Sequence, residues 1–403
     1  MSSSASRITA PTNTQSDMWK IPLCDLHFGP EETEAAAAVV ASGWLTMGER
    51  TQAFERALGE AFGTTGVLAM TNCTAALHLA YLAVGVGPGD EVICPSLTFV
   101  ATANAALTTG ADVVLADIIG PDDLTIDPAD VERKITPRTK AITVVHYAGF
   151  PCDMDAILAI AERRGIAVIE DAAHSPLATW KGRALGTIGD VGCYSFFSNK
   201  NLSTGEGGAV AARTDELRQR CKLLRSHGMT TLTLDRHKGH AFSYDVVLAG
   251  QNYRIDEIRS AIGLVQLGRL AEGNRMRRAV VTRYRERLAA IGRVGVPFRD
   301  FEARGVGESA YHIMPVLLPE GAPREPVMAA MKARGIQTSV HYTPIHGFSF
   351  HGSSDRVRHE GLARTDALAP RELTLPLYPR MTDAQVDEVC ASLDASLREV
   401  FPG

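Results

Sequence analysis

One lysine of this chain stands where lysines are seldom found. Lys200 follows the apolar run at residues 193–197, which predicts a buried strand, and it lies in a polar, glycine-rich turn. Removing water from an ammonium group is costly, so a lysine near a protein core usually has a partner or a chemical role. A desolvated lysine has a lowered pKa, becomes a neutral amine and can form a Schiff base with a carbonyl compound. Lys200 is therefore a candidate catalytic residue that needs a carbonyl-bearing cofactor.

Further groups at predicted strand ends and helix starts could hold that cofactor. Asp171 would stand at the carboxyl end of a buried strand, where a carboxylate can bind the N–H of a protonated pyridine ring. Residues 71–76 pass from a strand into a helix, whose first N–H groups and dipole can bind an anion. Phe99 could stack on a planar ring, and Ser195 could reach a phosphate. Each alone is also an ordinary helix cap or core residue, but together they are the parts of a pyridoxal phosphate site.

The elements that must position these residues alternate along the chain. Between about residues 21 and 271, apolar runs typical of strands are separated by helix-like segments, which predicts a doubly wound, mostly parallel sheet. Ligands of such sheets bind at the carboxyl ends of the strands. The predicted strands cover residues 66–70, 91–94, 112–116, 141–145, 165–170 and 191–197, and the predicted helices cover residues 52–62, 74–84, 101–105 and 154–163.

The remainder of the chain predicts a smaller α+β unit. Residues 255–291 favour one long helix, whose many arginines we interpret as a solvated face. Residues 229–249 lack periodicity and are interpreted as a long excursion from the large domain, a kind of segment that is often functional. Later elements are strands at 312–318 and 337–342, a helix at 327–334 and a last helix opened by a capping box at 382–385. The predicted parts are a flexible tail (1–20), a large cofactor-binding domain (21–271) and a small C-terminal domain (272–403).

Composition excludes several classes of protein. The 403 residues are 45% apolar and 22% charged, as in soluble globular proteins. A formal net charge of −5 gives no reason to expect nucleic acid or an anionic membrane as a partner. Seven cysteines without a C-x-x-C pair argue against a disulfide framework and against a zinc site, and they favour a reducing compartment. We find neither an apolar run of membrane-spanning length nor a secretory signal, so the expected location is the cytoplasm.

Nine ordered blocks lie between about residues 43 and 388. They are SGWLTMG (42–48), TAALHLA (74–80), GPGDEVICPSLTFVATANA (87–105), TPRTKAITVVHYAG (136–149), IEDAAH (169–174), KNLSTGEGG (200–208), RSHGM (225–229), NYRIDE (252–257) and LPLYPRMTD (375–383). In these blocks the chain is similar to the DegT/StrS family of pyridoxal-phosphate-dependent sugar aminotransferases. The resemblance implies a fold type I transferase, that is, a three-layer, doubly wound and mostly parallel α/β sheet with a smaller C-terminal α+β domain.

The resemblance also implies a role for each candidate residue. The catalytic pair would be Lys200, which forms the Schiff base, and Asp171, which binds the pyridine nitrogen. Asn252 would reach the cofactor phosphate from a second subunit, so a homodimer with shared active sites is implied. The other implied cofactor contacts are His174 near the phenolic oxygen, Phe99 against the ring, and Thr74, Ala75 and Ser195 at the phosphate.

Substrate contacts are less determined by the motifs. Cys73, the pair at 198–199 and Gln251 depart from the usual family pattern, which leaves the substrate-facing details open. For each histidine among the candidates, a structural role is an equal alternative. The candidates are Trp44, His146, His227, Tyr253, His341 and His346.

The implied reaction moves an amino group from an amino acid, L-glutamate or L-glutamine, to a 3- or 4-keto-6-deoxy sugar nucleotide in amino-sugar biosynthesis. An aminocyclitol or another secondary-metabolite ketone is the alternative acceptor. Lys200 disfavours the dehydratases of the family, which carry histidine at this position, and the intact set of cofactor residues argues against a non-catalytic regulator on the same fold. A nicotinamide dehydrogenase is disfavoured because GVGPGD (85–90) precedes a strand and is therefore no dinucleotide fingerprint.

Overall fold

The structure, a computed structural model, describes residues 18–231 and 244–402. Most of the predicted tail (1–20) and the middle of the predicted excursion (229–249) lie outside these residues. The strands are β1 (Val67–Met70), β2 (Glu91–Pro95), β3 (Asp112–Ala116), β4 (Ile118–Gly120), β5 (Asp123–Ile126), β6 (Thr139–Val145), β7 (Ala167–Asp171), β8 (Thr179–Trp180), β9 (Arg183–Ala184), β10 (Val191–Ser195), β11 (Gly208–Ala212), β12 (Gly307–Glu308), β13 (Met314–Leu317), β14 (Val357–Arg358) and β15 (Glu372–Leu375).

Helices alternate with these strands through the first half of the chain and dominate its later part. They are α1 (Pro30–Ser42), α2 (Glu49–Phe62), α3 (Cys73–Ala83), α4 (Ala101–Thr108), α5 (Pro128–Lys134), α6 (Met154–Arg164), α7 (Asp215–Arg225), α8 (Glu257–Ile291), α9 (Arg324–Ala333), α10 (Ser349–Gly352), α11 (Ala363–Leu368) and α12 (Asp383–Val400). Within the described ranges, no helix combines the length and the low polarity that crossing a membrane requires.

An eight-stranded sheet confirms the predicted doubly wound, mostly parallel α/β architecture. Its order is β1-β11-β10-β7-β6-β2-β3-β14. Strand β11 pairs antiparallel with β1 and β10, whereas the other strands of the sheet pair in parallel. The carboxyl ends of β2, β6, β7 and β10 therefore meet along one edge, where the sequence predicts the ligand site.

Alternation along the strands sends successive side chains to opposite faces of this sheet. Val92 and Ile169 pack with the helices α3, α4 and α7 on one face. Ile93 and Val168 pack with α5 and α6 on the other. The result is the predicted three-layer arrangement. The same alternation places Glu170 and Asp171, the last two residues of β7, on different faces of the sheet.

Local sequence signals account for the ends of several helices. The side chain of Asn72 caps α3 by accepting a hydrogen bond from the N–H of Ala75 at 2.8 Å. The predicted capping box of the last helix is confirmed, with Thr382 and Gln385 bonded reciprocally. The long helix α8 ends at Gly292, whose φ of 69° lies in the left-handed region that favours glycine. The proposed domain boundary at 271/272 falls inside α8 and stays a prediction.

Two sequence expectations differ from the structure. The strand predicted at 337–342 is absent from the described strands: Ser339 makes a single bridge with Thr374 and the preceding Ile336 makes one with Ile21, so no continuous ladder forms. The interpretation of the α8 arginines as solvated is wrong for Arg277. Its side chain is buried and donates hydrogen bonds to the carbonyl oxygens of His312 and Leu377, both at 3.1 Å.

Candidate active site

A cavity of about 780 Å³ opens at the carboxyl ends of the central strands. Most of the predicted cofactor residues line it, although they come from distant parts of the chain. A larger space of about 920 Å³, between α2 and α7, is lined by none of them. The predicted residues at the first cavity are Thr74, Ala75, Phe99, Asp171, His174, Ser195 and Lys200, with Tyr253 and His341 of the substrate candidates.

Lys200 lies in the turn that follows β10, where its N–H donates a hydrogen bond to the carbonyl of Phe197 at 2.9 Å. Burial lowers the pKa of Lys200 to about 8, although the nearby Asp171 and Cys73 act in the opposite direction. Such a lysine carries a substantial neutral fraction near physiological pH, as its proposed chemistry requires. Its Nζ lies 3.4 Å from Nε2 of His312, at the long end of the hydrogen-bond range.

Asp171 is the last residue of β7, and only 6% of it is exposed. Its carboxylate accepts hydrogen bonds from Oγ1 of Thr102 at 2.8 Å and from the N–H of Ala173 at 3.2 Å. Burial raises the pKa of Asp171, and these two bonds offset the effect only in part. Among the salt bridges of the described residues, none includes Asp171, and the nearby Lys200 charge offsets burial only in part, so a ring N–H⁺ would stabilise the charged carboxylate.

The amino end of α3 forms the anion-binding side of the cavity. Thr74 is exposed there, and Ser195, at the end of β10, faces the same space. The N–H of Ala75 is already bonded to Asn72, so the first N–H groups of the helix, the Thr74 and Ser195 hydroxyls and the helix dipole remain for an anion. This donor set fits a phosphate monoester.

Aromatic and histidine side chains form a further part of the cavity wall. Phe99 is 56% exposed, and its ring centroid lies 5.9 Å from that of Tyr342. His174 accepts a hydrogen bond from the N–H of Ala148 at Nδ1 (3.3 Å), so its Nε2 carries the proton and donates to the Tyr342 hydroxyl (2.9 Å). Burial, with the Lys200 charge, lowers the pKa of His174 well below its ordinary value. Tyr342 therefore links a neutral His174, by a hydrogen bond, to the exposed Phe99 ring.

Two of the substrate candidates line the cavity. The Tyr253 hydroxyl lies 2.8 Å from Nδ1 of His78, which projects from the next turn of α3 after Thr74. His341 lies 2.9 Å, through Nδ1, from Oγ1 of Thr374, and burial lowers its pKa to about 3. Both side chains are therefore held by hydrogen bonds at the edge of the candidate site.

The other substrate candidates lie outside the cavity wall. His146 is fully buried: its Nε2 lies 2.9 Å from Glu170, and its Nδ1 accepts from the N–H of Cys152 at 3.2 Å. His346 lies 2.7 Å from Ser96 and 2.8 Å from Asp366. For these two histidines, the hydrogen bonds favour the structural alternative. Trp44, His227 and the predicted phosphate ligand Asn252 also lie outside the wall, and the last two are exposed.

Four residues that the sequence reasoning missed contribute to the site: Thr102, Asn199, His312 and Tyr342. Thr102 lies within the matched block 87–105, in the first turn of α4, and only its hydrogen bond to Asp171 marks it as part of the site. His312 and Tyr342 belong to predicted strands of the C-terminal part, and only the tertiary fold brings them to Lys200 and His174. Asn199 lines the cavity with a buried Oδ1 that has no hydrogen-bond partner within the described ranges.

Comparison with known proteins identifies the family of this chain. Residues 27–394 match the model of the DegT/DnrJ/EryC1/StrS aminotransferase family. The spore coat polysaccharide biosynthesis protein SpsC of Bacillus subtilis is 38% identical over 366 residues, which cover 90% of this chain and 93% of that protein. The match therefore extends across both the large sheet and the C-terminal elements.

Solved structures of aminotransferases share the fold. The aminotransferase TlmJ from Streptoalloteichus hindustanus superposes with a TM-score of 0.84 at 33% identity, covering 95% of this chain and 99% of that one. Spr1654 from Streptococcus pneumoniae, a candidate sugar aminotransferase solved in its PMP-form, gives a TM-score of 0.86 at 28% identity, with coverage of 95% and 99%. The structural similarity to these aminotransferases thus extends over almost the entire length of both chains.

Proposed function

This chain belongs to the DegT/DnrJ/EryC1/StrS aminotransferase family, and from that premise we propose that it uses pyridoxal phosphate to aminate a keto sugar nucleotide. The observation that carries the proposal is the cavity in which Lys200, Asp171 and the amino end of α3 meet. Pyridoxal phosphate carries a ring nitrogen, a phosphate and an aldehyde, for which Asp171, the amino end of α3 and Lys200 are the chemical partners. The solved PLP-form of Spr1654 supports the choice of cofactor.

Different residues of the cavity would contact different parts of the cofactor. Pyridoxal phosphate, when bound, supplies an aldehyde that takes up the amino group and a protonated ring that withdraws electrons. Asp171 would hold the proton on the ring nitrogen, because a buried carboxylate that forms no salt bridge is stabilised by that N–H. Thr74, Ser195 and the α3 amino end would bind the phosphate, and Phe99 would stack on the ring.

Lys200 moves the proton. As a free amine it would take the proton from the donor α-carbon and deliver it to the carbon that was the cofactor's aldehyde, which is general acid–base catalysis by a group whose pKa lies near the working pH. Burial lowers the pKa of Lys200 to about 8, which suits both directions of transfer. The neutral His174 and Tyr342 exclude water from the same wall and offer hydrogen bonds without adding charge.

The proposed substrates follow the family and the size of the site. The amino donor is L-glutamate or L-glutamine, and the acceptor is a 3- or 4-keto-6-deoxy sugar nucleotide of amino-sugar biosynthesis. The relative SpsC takes part in spore coat polysaccharide biosynthesis, which supports a sugar acceptor. A cavity of about 780 Å³ is within the range of small-molecule sites and can admit a cofactor with a sugar ring beside it.

We also propose that the active sites are shared within a homodimer. Asn252 is exposed and lies outside the cavity of its own chain, whereas its neighbour Tyr253 lines that cavity. An exposed Asn252 is therefore available to the phosphate site of a second copy. Mixing inactive Lys200→Ala with inactive Asn252→Ala subunits should restore part of the activity through one intact composite site, and recovery no greater than in either parent would contradict sharing.

A spectrum tests the cofactor assignment. Purified protein mixed with pyridoxal phosphate should gain the visible absorbance of a lysine-bound cofactor, and Lys200→Ala should lose both that band and turnover. Lys222→Ala is a matched control, because this lysine lies on α7 outside the cavity wall. Failure of the wild-type protein to bind pyridoxal phosphate would refute the proposed function.

The acceptor is identified by single turnover. The pyridoxamine phosphate form, made with L-glutamate or L-glutamine, is mixed with keto sugar nucleotides and, in a second arm, with cyclic ketones of the aminocyclitol type. Return of the visible band reports transfer to the ketone. Transfer to cyclic ketones alone would replace the sugar assignment with the alternative acceptor class.

A further inference from the structure

His312 is a buried histidine whose imidazole contacts Lys200. Only 4% of His312 is exposed, and its Nε2 lies 3.4 Å from Nζ of the lysine. It precedes β13 in the C-terminal part of the chain, so the small α+β unit supplies a group directly to the lysine of the large sheet. None of the roles proposed above uses this contact.

A chain of amide hydrogen bonds fixes the tautomer of His312. The Asn201 amide donates through Nδ2 to Oδ1 of Asn274 at 2.8 Å and to the carbonyl of Ala310 at 2.7 Å, so its Oδ1 must be the atom that faces the imidazole. Nδ1 of His312 lies 2.9 Å from that oxygen and therefore carries the proton. The lone pair of Nε2 then points at Lys200.

The backbone of His312 is held as firmly as its ring. The guanidinium of Arg277 donates to the His312 carbonyl at 3.1 Å, and Asn274, one turn earlier on α8, donates to the carbonyl of Pro176 at 2.9 Å. The long helix thus ties the histidine to the loop after β7. Because the imidazole of His312 is already fixed, it loses little further conformational entropy when it accepts a hydrogen bond from the lysine side chain.

We propose that His312 is a positioning residue, whose neutral Nε2 accepts a hydrogen bond from Nζ of Lys200 whenever that lysine is not joined to the cofactor, and most strongly when Nζ is an ammonium. The contact holds Nζ at the cavity between its rounds of proton transfer. The proposal rests on the proposed function in taking Lys200 as the lysine that serves the cofactor.

The charges around Lys200 are consistent with a neutral acceptor. Asp171 and Cys73 face the lysine from β7 and α3, and His174 and His341 face it from the loops beside them. Burial, together with the charges of Lys200 and Arg277, lowers the pKa of His312 well below its ordinary value. A neutral imidazole stabilises the ammonium form of Lys200 by its hydrogen bond, whereas a cationic one would repel it.

The test measures the Lys200 amine in cofactor-free protein. The rate at which an acylating reagent labels Lys200 is followed by peptide mass spectrometry from pH 6 to pH 10. His312→Phe removes the acceptor and should lower the Lys200 pKa by about one unit, because a hydrogen bond to a charged group is lost. At pH 6.5, labelling should then be about tenfold faster than in wild-type protein.

Two variants separate this role from a structural one. His312→Gln keeps a neutral acceptor at about the same place and should restore the wild-type pKa of Lys200. His359→Phe, a histidine outside the cavity wall, is the matched control and should leave it unchanged. Equal Lys200 pKa values in wild-type, His312→Phe and His312→Gln proteins would overturn the proposal.

A measurement on the wild-type chain covers the case in which His312→Phe does not fold. In a ¹⁵N-histidine spectrum of cofactor-free protein, Nε2 of His312 should have the shift of an unprotonated ring nitrogen, and this shift should move as Lys200 titrates near pH 8. A protonated Nε2 would overturn the assignment. None of these readouts needs turnover, so a protein that fails the acceptor screen can still confirm the Lys200–His312 contact.

Discussion

Glu170 and Asp171 are consecutive, buried carboxylates on β7, yet the fold treats them in opposite ways. Glu170 accepts hydrogen bonds from Nε2 of His146 and from three backbone N–H groups, those of Gly186, Ile188 and Gly189, at 2.6 to 2.9 Å. Asp171 accepts only two, and its side chain opens into the cavity. Strand alternation causes this separation, because it sends Glu170 to the α5–α6 face and Asp171 to the α3–α4 face.

The pKa values of the two groups separate in the same way. Burial works to raise the pKa of both. For Glu170, the His146 and backbone hydrogen bonds outweigh burial, and the pKa is lowered. For Asp171 burial prevails, and the pKa is raised. A buried carboxylate that its own chain satisfies fully belongs to the scaffold, whereas one left short of donors can take a ligand.

The largest expected effect is on turnover in Asp171→Asn. A neutral amide cannot hold the proton on the ring nitrogen, so kcat should fall by about 10³-fold, as for loss of a group that acts in proton transfer. The free energy of unfolding should change by less than about 1 kcal/mol, because the raised pKa shows that the charged form is poorly stabilised. Single-turnover kinetics and urea unfolding of the same preparation measure the two effects. A variant that retains kcat would remove the distinction drawn between Asp171 and Glu170.

Glu170→Gln should show the reverse behaviour. Its amide –NH₂ would face backbone N–H donors, leaving buried groups unpaired, so the free energy of unfolding should fall by about 3 kcal/mol while the folded fraction keeps its cofactor affinity. Because the pKa of Glu170 is lowered in the folded state, its contribution is present above the ordinary value of 4.5 and is lost as pH falls through the folded pKa. The difference between wild type and variant should therefore shrink below pH 4.5. Unfolding in urea at pH 4 and pH 7 measures it, and loss of turnover without loss of stability would contradict the prediction.

The contrast between these neighbours shows what the sequence could predict. The alternation of strands and helices was sufficient for the sheet, because apolar runs and helical segments are local signals. The segment at 337–342 was predicted wrongly as a strand, because pairing depends on partners that lie far away in the chain. Most element types therefore followed from the sequence, whereas an element whose existence depends on distant pairing did not.

For the site, the motif IEDAAH placed Asp171 at a strand end but could not reveal its hydrogen bonds. His146 was a candidate on the same terms as His341, and only the fold shows one bonded to Glu170 and the other at the cavity. His312 was missed because more than a hundred residues separate it from Lys200, a separation that no local pattern can report. Residues that depend on two distant segments were thus beyond sequence reasoning.

Glu372 tests the comparison between Glu170 and Asp171 further. Like Asp171 it is buried and accepts only two hydrogen bonds, but it lies outside the cavity wall. It accepts hydrogen bonds from the N–H of His341 and from Oγ1 of Thr374, at 2.8 and 2.5 Å, and burial raises its pKa to about 8. Between pH 4.5 and 8 the folded state then binds more protons than the unfolded state, so the contribution of Glu372 to stability falls as pH rises through this range. Incomplete hydrogen bonding therefore raises a pKa without creating a ligand site.

Glu372→Gln should remove this dependence. The amide mimics the protonated acid, so the variant should match wild-type stability near pH 4.5 and exceed it by about 2 to 3 kcal/mol at pH 7, since one pKa unit corresponds to about 1.4 kcal/mol. Urea unfolding at the two pH values measures the difference, with cofactor affinity as the control. A loss of stability in the variant at pH 7 would show that the ionised form of Glu372 is the one that the fold stabilises.

The smallest expected effect comes from the donor that Asp171 does possess. Thr102→Val keeps the shape of the side chain but removes the hydroxyl that donates to Asp171, so the Asp171 pKa should rise further, by about one unit. Cofactor binding that needs the carboxylate should then weaken about tenfold on the acid side of the pH profile and remain unchanged at high pH, as titration with pyridoxal phosphate would measure. Thr143→Val is the matched control, because its buried hydroxyl bonds to Tyr81 and not to Asp171. Equal losses of cofactor affinity at low pH in both variants would assign the effect to packing. A loss in Thr102→Val alone would show that the Thr102 hydroxyl lowers the pKa of Asp171, as the donors around Glu170 lower the pKa of that carboxylate.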